Sequence, residues 1–163
     1  MAQVHQRSSD LESGRVVEFV CNICGKANRS TFLELARENA TCSSCRSTVR
    51  TRSLLRVLSL ELFGLEVCLP DFPRVKSLRG LGTSDTALYA SVLADRFNYT
   101  NTFYDFAPRF DIMNPPQGEL GRYDFVVSSE VLERSAPDRD SPRECLRAPE
   151  TERRAGPYGA IFH

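Results

Sequence analysis

Lysine is nearly missing from this chain. Of its 21 basic residues only Lys26 and Lys76 are lysines, and 21 acidic residues bring the formal net charge to zero. The arginine skew is as readily a matter of genome composition as of function. A neutral balance offers no net field to draw in a nucleic acid or an anionic membrane. Long apolar runs are missing as well: none approaches the ~20 residues that a membrane-spanning helix requires. The first residues carry His5, Arg7 and Asp10 among small polar side chains, so the apolar centre of a secretory signal is absent too. Together these absences predict a cytoplasmic protein with no membrane partner. In that reducing compartment, paired thiols bind metal rather than form disulfides.

What is present begins with composition. A length of 163 residues that are 41% hydrophobic suits one ordinary domain, or a small module joined to a modest one. Four of the six cysteines form two close pairs, Cys21-Asn22-Ile23-Cys24 and Cys42-Ser43-Ser44-Cys45, with seventeen residues between the pairs. A CxxC turn sets two sulfurs about one metal diameter apart on a tight backbone hook. Two such hooks can hold one ion tetrahedrally. Gly25 after the first pair permits a positive φ there. The pattern predicts a zinc ribbon over residues 15–49, with Cys21, Cys24, Cys42 and Cys45 binding one Zn2+. Four unligated or disulfide-bonded cysteines are the plainer alternative, and the double spacing favours the metal. Cys68 and Cys145 stand apart and read as bystanders.

Residues 1–14 read as a disordered lead. Residues 15–20 have strand character and deliver the chain into the first pair; residues 30–39 suit a short strand or a helical turn. Residues 50–63 show helical spacing, with Leu54, Leu55, Leu58 and Leu62 on one face and Gly64 where a C-terminal cap is expected. Pro70 and Pro73 mark a linker, so residues 50–73 read as a connecting helix and linker. From residue 74 the rhythm changes. A strand over 74–79 leads into Gly80-Leu81-Gly82-Thr83-Ser84-Asp85. A helix then follows over 84–97, capped by Ser84 or Asp85, with Ala87, Leu88, Val92 and Leu93 inward. Residues 100–106 are β-prone, and 123–128 form the clearest buried strand. This alternation predicts an α/β domain over 74–163. Residues 134–157 are crowded with charge and proline, and only 159–162 resume an apolar run. A doubly wound sheet ending there lacks its last strands.

A Gly-x-Gly turn between strand and helix lets a ligand approach the backbone, where the helix N-terminus offers amides. It is also found in ordinary βα loops. An acidic residue 20–25 positions downstream is expected where a ribose binds. Asp105 lies in that window and Asp111 follows it, and both equally suit solvated loop positions. Ser128, Ser129 and Glu130 follow the 123–128 strand, at the sheet end where ligands sit. Glu130 would also suit a helix N-terminus.

The strings Gly-Leu-Gly-Thr-Ser-Asp, Pro-Arg-Phe-Asp-Ile and Tyr-Asp-Phe-Val-Val-Ser-Ser-Glu-Val-Leu-Glu resemble class I S-adenosylmethionine-dependent methyltransferases, in particular a bacterial subgroup with a cysteine-paired N-terminal module. The resemblance spans roughly residues 16–134 and implies a partial Rossmann-like methyltransferase sheet preceded by a small zinc ribbon. It places Gly80, Gly82 and Ser84 at the methionine end of the cofactor and Asp105 at the close of the second strand. Asp111 and Ile112 fall near ribose or adenine, and Ser128, Ser129 and Glu130 near the reaction centre. Arg134 stands where the family's string carries histidine. The function so implied is methyl transfer from S-adenosylmethionine to an unidentified acceptor. The alternative is a non-catalytic ribbon that binds protein or nucleic acid, with Arg46, Arg50, Arg52 and Arg56 meeting phosphates; a solvated helix face is the plainer account of those arginines. A third reading is a non-functional remnant of such an enzyme.

Overall fold

The computed structural model describes residues 14–112, 114–129 and 161–162, the last two by backbone alone. Val16–Val20 (β1) and Ala27–Thr31 (β2) pair antiparallel, from Val16 opposite Thr31 to Val20 opposite Ala27. The first cysteine pair lies in the loop that joins them. A 3-10 turn over Leu33–Leu35 follows, so the 30–39 stretch holds both the end of a strand and a helical turn. The second pair sits between Ala40 and Thr48, which form an isolated antiparallel bridge.

Helix α1, Val49–Phe63, has the boundaries and the buried face expected of it. Thr48 and Thr51 form a reciprocal capping box at its start. Gly64 closes it at φ 70° with its N–H on the Leu60 carbonyl, a left-handed position that favours glycine. Fifteen residues are marginal as an isolated helix in water, so α1 depends on burying Leu54, Leu55, Leu58 and Leu62. Buried Ser59 holds the departing chain, donating to the Leu65 carbonyl and accepting from the Val67 N–H, each at 2.7 Å.

The segment expected as a linker is anchored in the core by two of its side chains. A turn over Leu69–Asp71 buries Leu69 and Phe72 completely, because the prolines bend the chain back rather than let it run free.

Beyond it lie β3 (Val75–Thr83), helix α2 (Ala87–Arg96), β4 (Phe97–Thr102), β5 (Phe125–Ser128) and β6 (Ile161–Phe162). The strands form one sheet in the order β4-β3-β5-β6, and every neighbouring pair is parallel. The α/β expectation thus holds as a parallel sheet with helices packed on it. Two boundaries differ from the sequence reading. Strand β3 runs through Gly80 and Gly82, and the helix begins only at Ala87, capped by Thr86. Tyr89, Ala90 and Leu93 are its buried residues, whereas Ala87 is exposed.

The sheet has two unlike faces. Toward α1 and α2, Phe97, Tyr99, Phe125 and Val127 join the leucines of α1 and Tyr89 and Leu93 of α2 in one core that also contains Cys21, Ile23 and Cys42. On the other face Leu81 and Val126 pack with Ile112, Phe110 and Tyr123. Gly80 lies opposite Phe125 and Tyr99 in the register, and a Cβ there would overlap the Phe125 ring. That ring is fixed edge-on against Phe97 and stacked on Tyr99, at 5.3 and 6.1 Å between centroids. Gly80→Ala is therefore expected to destabilise the protein by about 1–3 kcal/mol through overpacking. Urea denaturation measures this, and an unchanged midpoint would show that the ring can yield.

Candidate metal centre

The two cysteine turns are built alike. In the first, the Cys21 N–H donates to the Lys26 carbonyl (2.9 Å) and the Gly25 N–H to the Cys21 carbonyl (2.7 Å). In the second, the Cys42 N–H donates to the Ser47 carbonyl (3.3 Å) and the Arg46 N–H to the Cys42 carbonyl (2.9 Å). The same position of each hook is left-handed: Gly25 at φ 73° and Arg46 at φ 61°. The glycine made the first hook legible in sequence. Arg46 carries no such signal.

The hooks bring the Sγ atoms of Cys21, Cys24, Cys42 and Cys45 within 4.8 Å of one another. Cys24 and Cys42 are 3.6 Å apart at sulfur, and Cys21 and Cys45 3.7 Å. Zn–S bonds of about 2.3 Å in a tetrahedron put sulfurs about 3.8 Å apart, so the donor set fits zinc. No disulfide joins these cysteines. Cys68 is also a free thiol and stays outside the group. Cys145 lies outside the described residues. Four thiolates would complete the coordination and leave no open position, which suits a structural site.

A shell of polar groups holds the hooks together. Asn28 donates to the Lys26 carbonyl (2.8 Å), while its Oδ1 accepts from the Ser43 N–H (2.9 Å) and hydroxyl (3.1 Å), so it links one hook to the other. The Ser47 hydroxyl lies 3.2 Å from the Cys21 sulfur. Arg52 of α1 donates to the Ser47 carbonyl (2.9 Å) and the Thr41 hydroxyl (2.7 Å), and its guanidinium lies over the Phe19 ring. Asn22 reaches the other way, donating from its side chain to the Arg52 carbonyl (2.9 Å) and accepting at its own carbonyl from Leu69 N–H (2.7 Å). Partners of this kind orient metal ligands. None of them was evident in the sequence, because Asn28, Ser47 and Arg52 meet only once both hooks are closed.

Burial pushes Cys24 up to about 12 and also raises Cys45. For Cys42 burial again opposes ionisation, but N–H groups of Cys45 and Ser44 outweigh it and draw the thiol down to about 6.

Only some of the residues expected around a cofactor lie at the carboxyl edge of the sheet. Thr83, Thr102 and Ser128 are aligned there by the register, at the ends of β3, β4 and β5. Ser84 is exposed at φ 60°, and its N–H already donates to the Thr102 carbonyl (2.7 Å). The Asp85 N–H likewise donates to Asn101 Oδ1 (2.9 Å). Gly82 lies in β3, and a Cβ there would overlap the Tyr99 hydroxyl and the Asp85 carboxylate. Asp105 is exposed in the loop after β4, beyond the strand that was expected to reach it. Asp111 accepts from Asn114 (2.9 Å), and Ile112 is buried on the opposite face with Leu81 and Val126. The Ser128 hydroxyl is buried without a partner, and the Ser129 hydroxyl accepts from Arg50 at 2.6 Å. Glu130 lies outside the described residues.

Asp85 is an unexpected feature of this edge. Its carboxylate is buried and accepts from the Tyr89 hydroxyl (2.7 Å) and from the Tyr99 hydroxyl. Burial raises it to about 6 despite these two bonds, and burial followed by the Asp85 charge raises both phenols. The spacing of Asp85 and Tyr89 is helical, but Tyr99 reaches them only through the parallel register.

Replacing Cys42 with serine is expected to abolish binding of one zinc per chain, measured by metal analysis after gel filtration; full retention would contradict a four-thiolate site. Arg46→Gly is expected to keep the zinc and to gain about 1 kcal/mol by relieving a left-handed backbone, a gain that denaturation of the zinc-loaded protein would detect.

No family model, no curated protein and no solved structure matches this chain, so its function is read from the residues and geometry above.

Proposed function

We propose that the chain is a zinc-stabilised α/β domain of the class I methyltransferase type, which binds S-adenosylmethionine at the carboxyl edge of its sheet and transfers methyl to an acceptor. The observation that carries this reading is the strand order. The chain passes from β3 to β4 on one side, then returns to the other side of β3 for β5 and β6. Neighbouring strands β3 and β5 thus lead away in opposite directions, and open α/β sheets bind ligands in the crevice at such a point. Ser84, Ser128 and Ser129 lie at the ends of those two strands, with Asp105 beyond the end of β4.

These edge residues suit the cofactor better than the glycines do. Ser128 has an unpartnered hydroxyl, and Asp105 presents an exposed carboxylate of the kind that accepts ribose hydroxyls. The glycines instead make room for Phe125, Tyr99 and Asp85, and the first two amides of the turn already have acceptors. Ser84, Asp105, Ser128 and Ser129 would therefore hold the group. When bound, S-adenosylmethionine supplies an activated methyl on a sulfonium. The chain's own part is to orient donor and acceptor.

A second reading, the ribbon as a protein-binding module, is favoured by one observation. Val16 and Val20 on the outer face of β1 are 43% and 61% exposed, and Phe32 and Leu33 beyond β2 are 56% and 68% exposed. The arginines give less support to a nucleic-acid partner. Arg50 is paired with Glu38 at 3.0 Å, Arg56 with Glu66 at 2.5 Å, and Arg52 is taken up by the second hook.

Calorimetric titration of the zinc-loaded protein with S-adenosylmethionine decides between these readings. The expected result is one site whose affinity falls about tenfold in Asp105→Ala, the loss of a hydrogen bond to a charged group. No heat at millimolar ligand would overturn the methyltransferase reading and leave the binding module in its place.

A further inference from the structure

Arg50 occupies the first turn of α1, where it meets both halves of the molecule. Its backbone N–H donates to the Arg37 carbonyl at 3.1 Å, and its Nε lies 3.0 Å from the Glu38 carboxylate. Both partners belong to the arm between the two cysteine hooks. From the same side chain, Nη1 donates to the Ser129 hydroxyl at 2.6 Å, just past the end of β5 and 79 residues away in sequence. The Arg50 side chain is only 22% exposed, so these contacts to a carboxylate and a hydroxyl are partly shielded from water. Two residues further along, Arg52 is gripped by the second hook through Ser47 and Thr41. The start of α1 thus takes its position from the hooks and passes it on to the edge of the sheet. The shared core supplies a parallel link, since Cys21, Ile23 and Cys42 pack in one cluster with Phe125 and Val127 of β5.

We infer that metal occupancy at the four cysteines sets the order of the sheet's carboxyl edge, and that Arg50 is the positioning residue that transmits it. The hooks are the element with two states: closed around the ion, or opened when the ligands lose it. Opening the hooks removes the Glu38 and Arg37 contacts that orient Arg50, and Ser129 then loses its donor. This coupling is independent of whether the edge binds S-adenosylmethionine.

Hydrogen exchange read by mass spectrometry on the full chain tests it, with Zn2+ as the only added ligand. Stripping zinc from the wild-type protein with a chelator is expected to speed exchange in the 124–129 segment together with the hooks. Arg50→Met and Ser129→Ala, both zinc-loaded, are expected to keep one zinc per chain and protected hooks, while 124–129 exchanges about tenfold faster, as loss of a charge-assisted bond implies. A 124–129 segment indifferent to chelation overturns the coupling. A segment that answers to chelation but to neither substitution overturns the role of Arg50.

Discussion

The convergence of four cysteine sulfurs is the constraint on which the rest of this structure depends. Cys21 and Cys42 are fully buried, so the hooks are not an appendage but part of the wall of the main core. A structural thiolate site contributes about 10 kcal/mol or more when it closes. Whole domains have net stabilities of about 5–15 kcal/mol. One ion can therefore decide whether the chain folds. Without it, four sulfurs crowd within 4.8 Å, and burial opposes ionisation of Cys24 and Cys45.

From the hooks the order passes outward through polar bonds before it reaches apolar packing. Arg52 and Asn22 lock the start of α1 and the turn at Leu69 to the metal module. Helix α1 then lays four leucines on the sheet, and the sheet aligns its strand ends into one edge. The centre fit to hold a metal and the edge proposed to hold a cofactor thus have separate chemistry. The first, with metal bound, would be closed and would supply stability; the second is a row of hydroxyls and an exposed carboxylate, whose task would be orientation.

How much of this could be read in the residues varies by element. The cysteine spacing marks all four members of the metal group, and the leucine spacing with Gly64 marks α1 to within a residue. The glycine pair misleads, because a Gly-x-Gly sequence signals missing side chains without saying what fills the space. Here Phe125 and Tyr99 fill it, and both arrive through pairing with strands that are distant in sequence. The prolines near residue 70 misled similarly, since they bend a buried turn as readily as they stiffen a linker. Arg50 and Arg52 read as a basic surface until their partners, Ser129 and the second hook, are brought to them by the fold.

The decisive question is whether the metal folds the whole chain or only its first fifty residues. Urea unfolding of the zinc-loaded protein, followed by far-ultraviolet dichroism and by the fluorescence of its five tyrosines, all of which lie beyond residue 88, measures this most directly. Coincident single transitions that shift together to lower urea on chelation are the predicted result. A tyrosine transition that stays in place after zinc is removed would contradict it, and would make the ribbon a separate module resting on a sheet that folds without it.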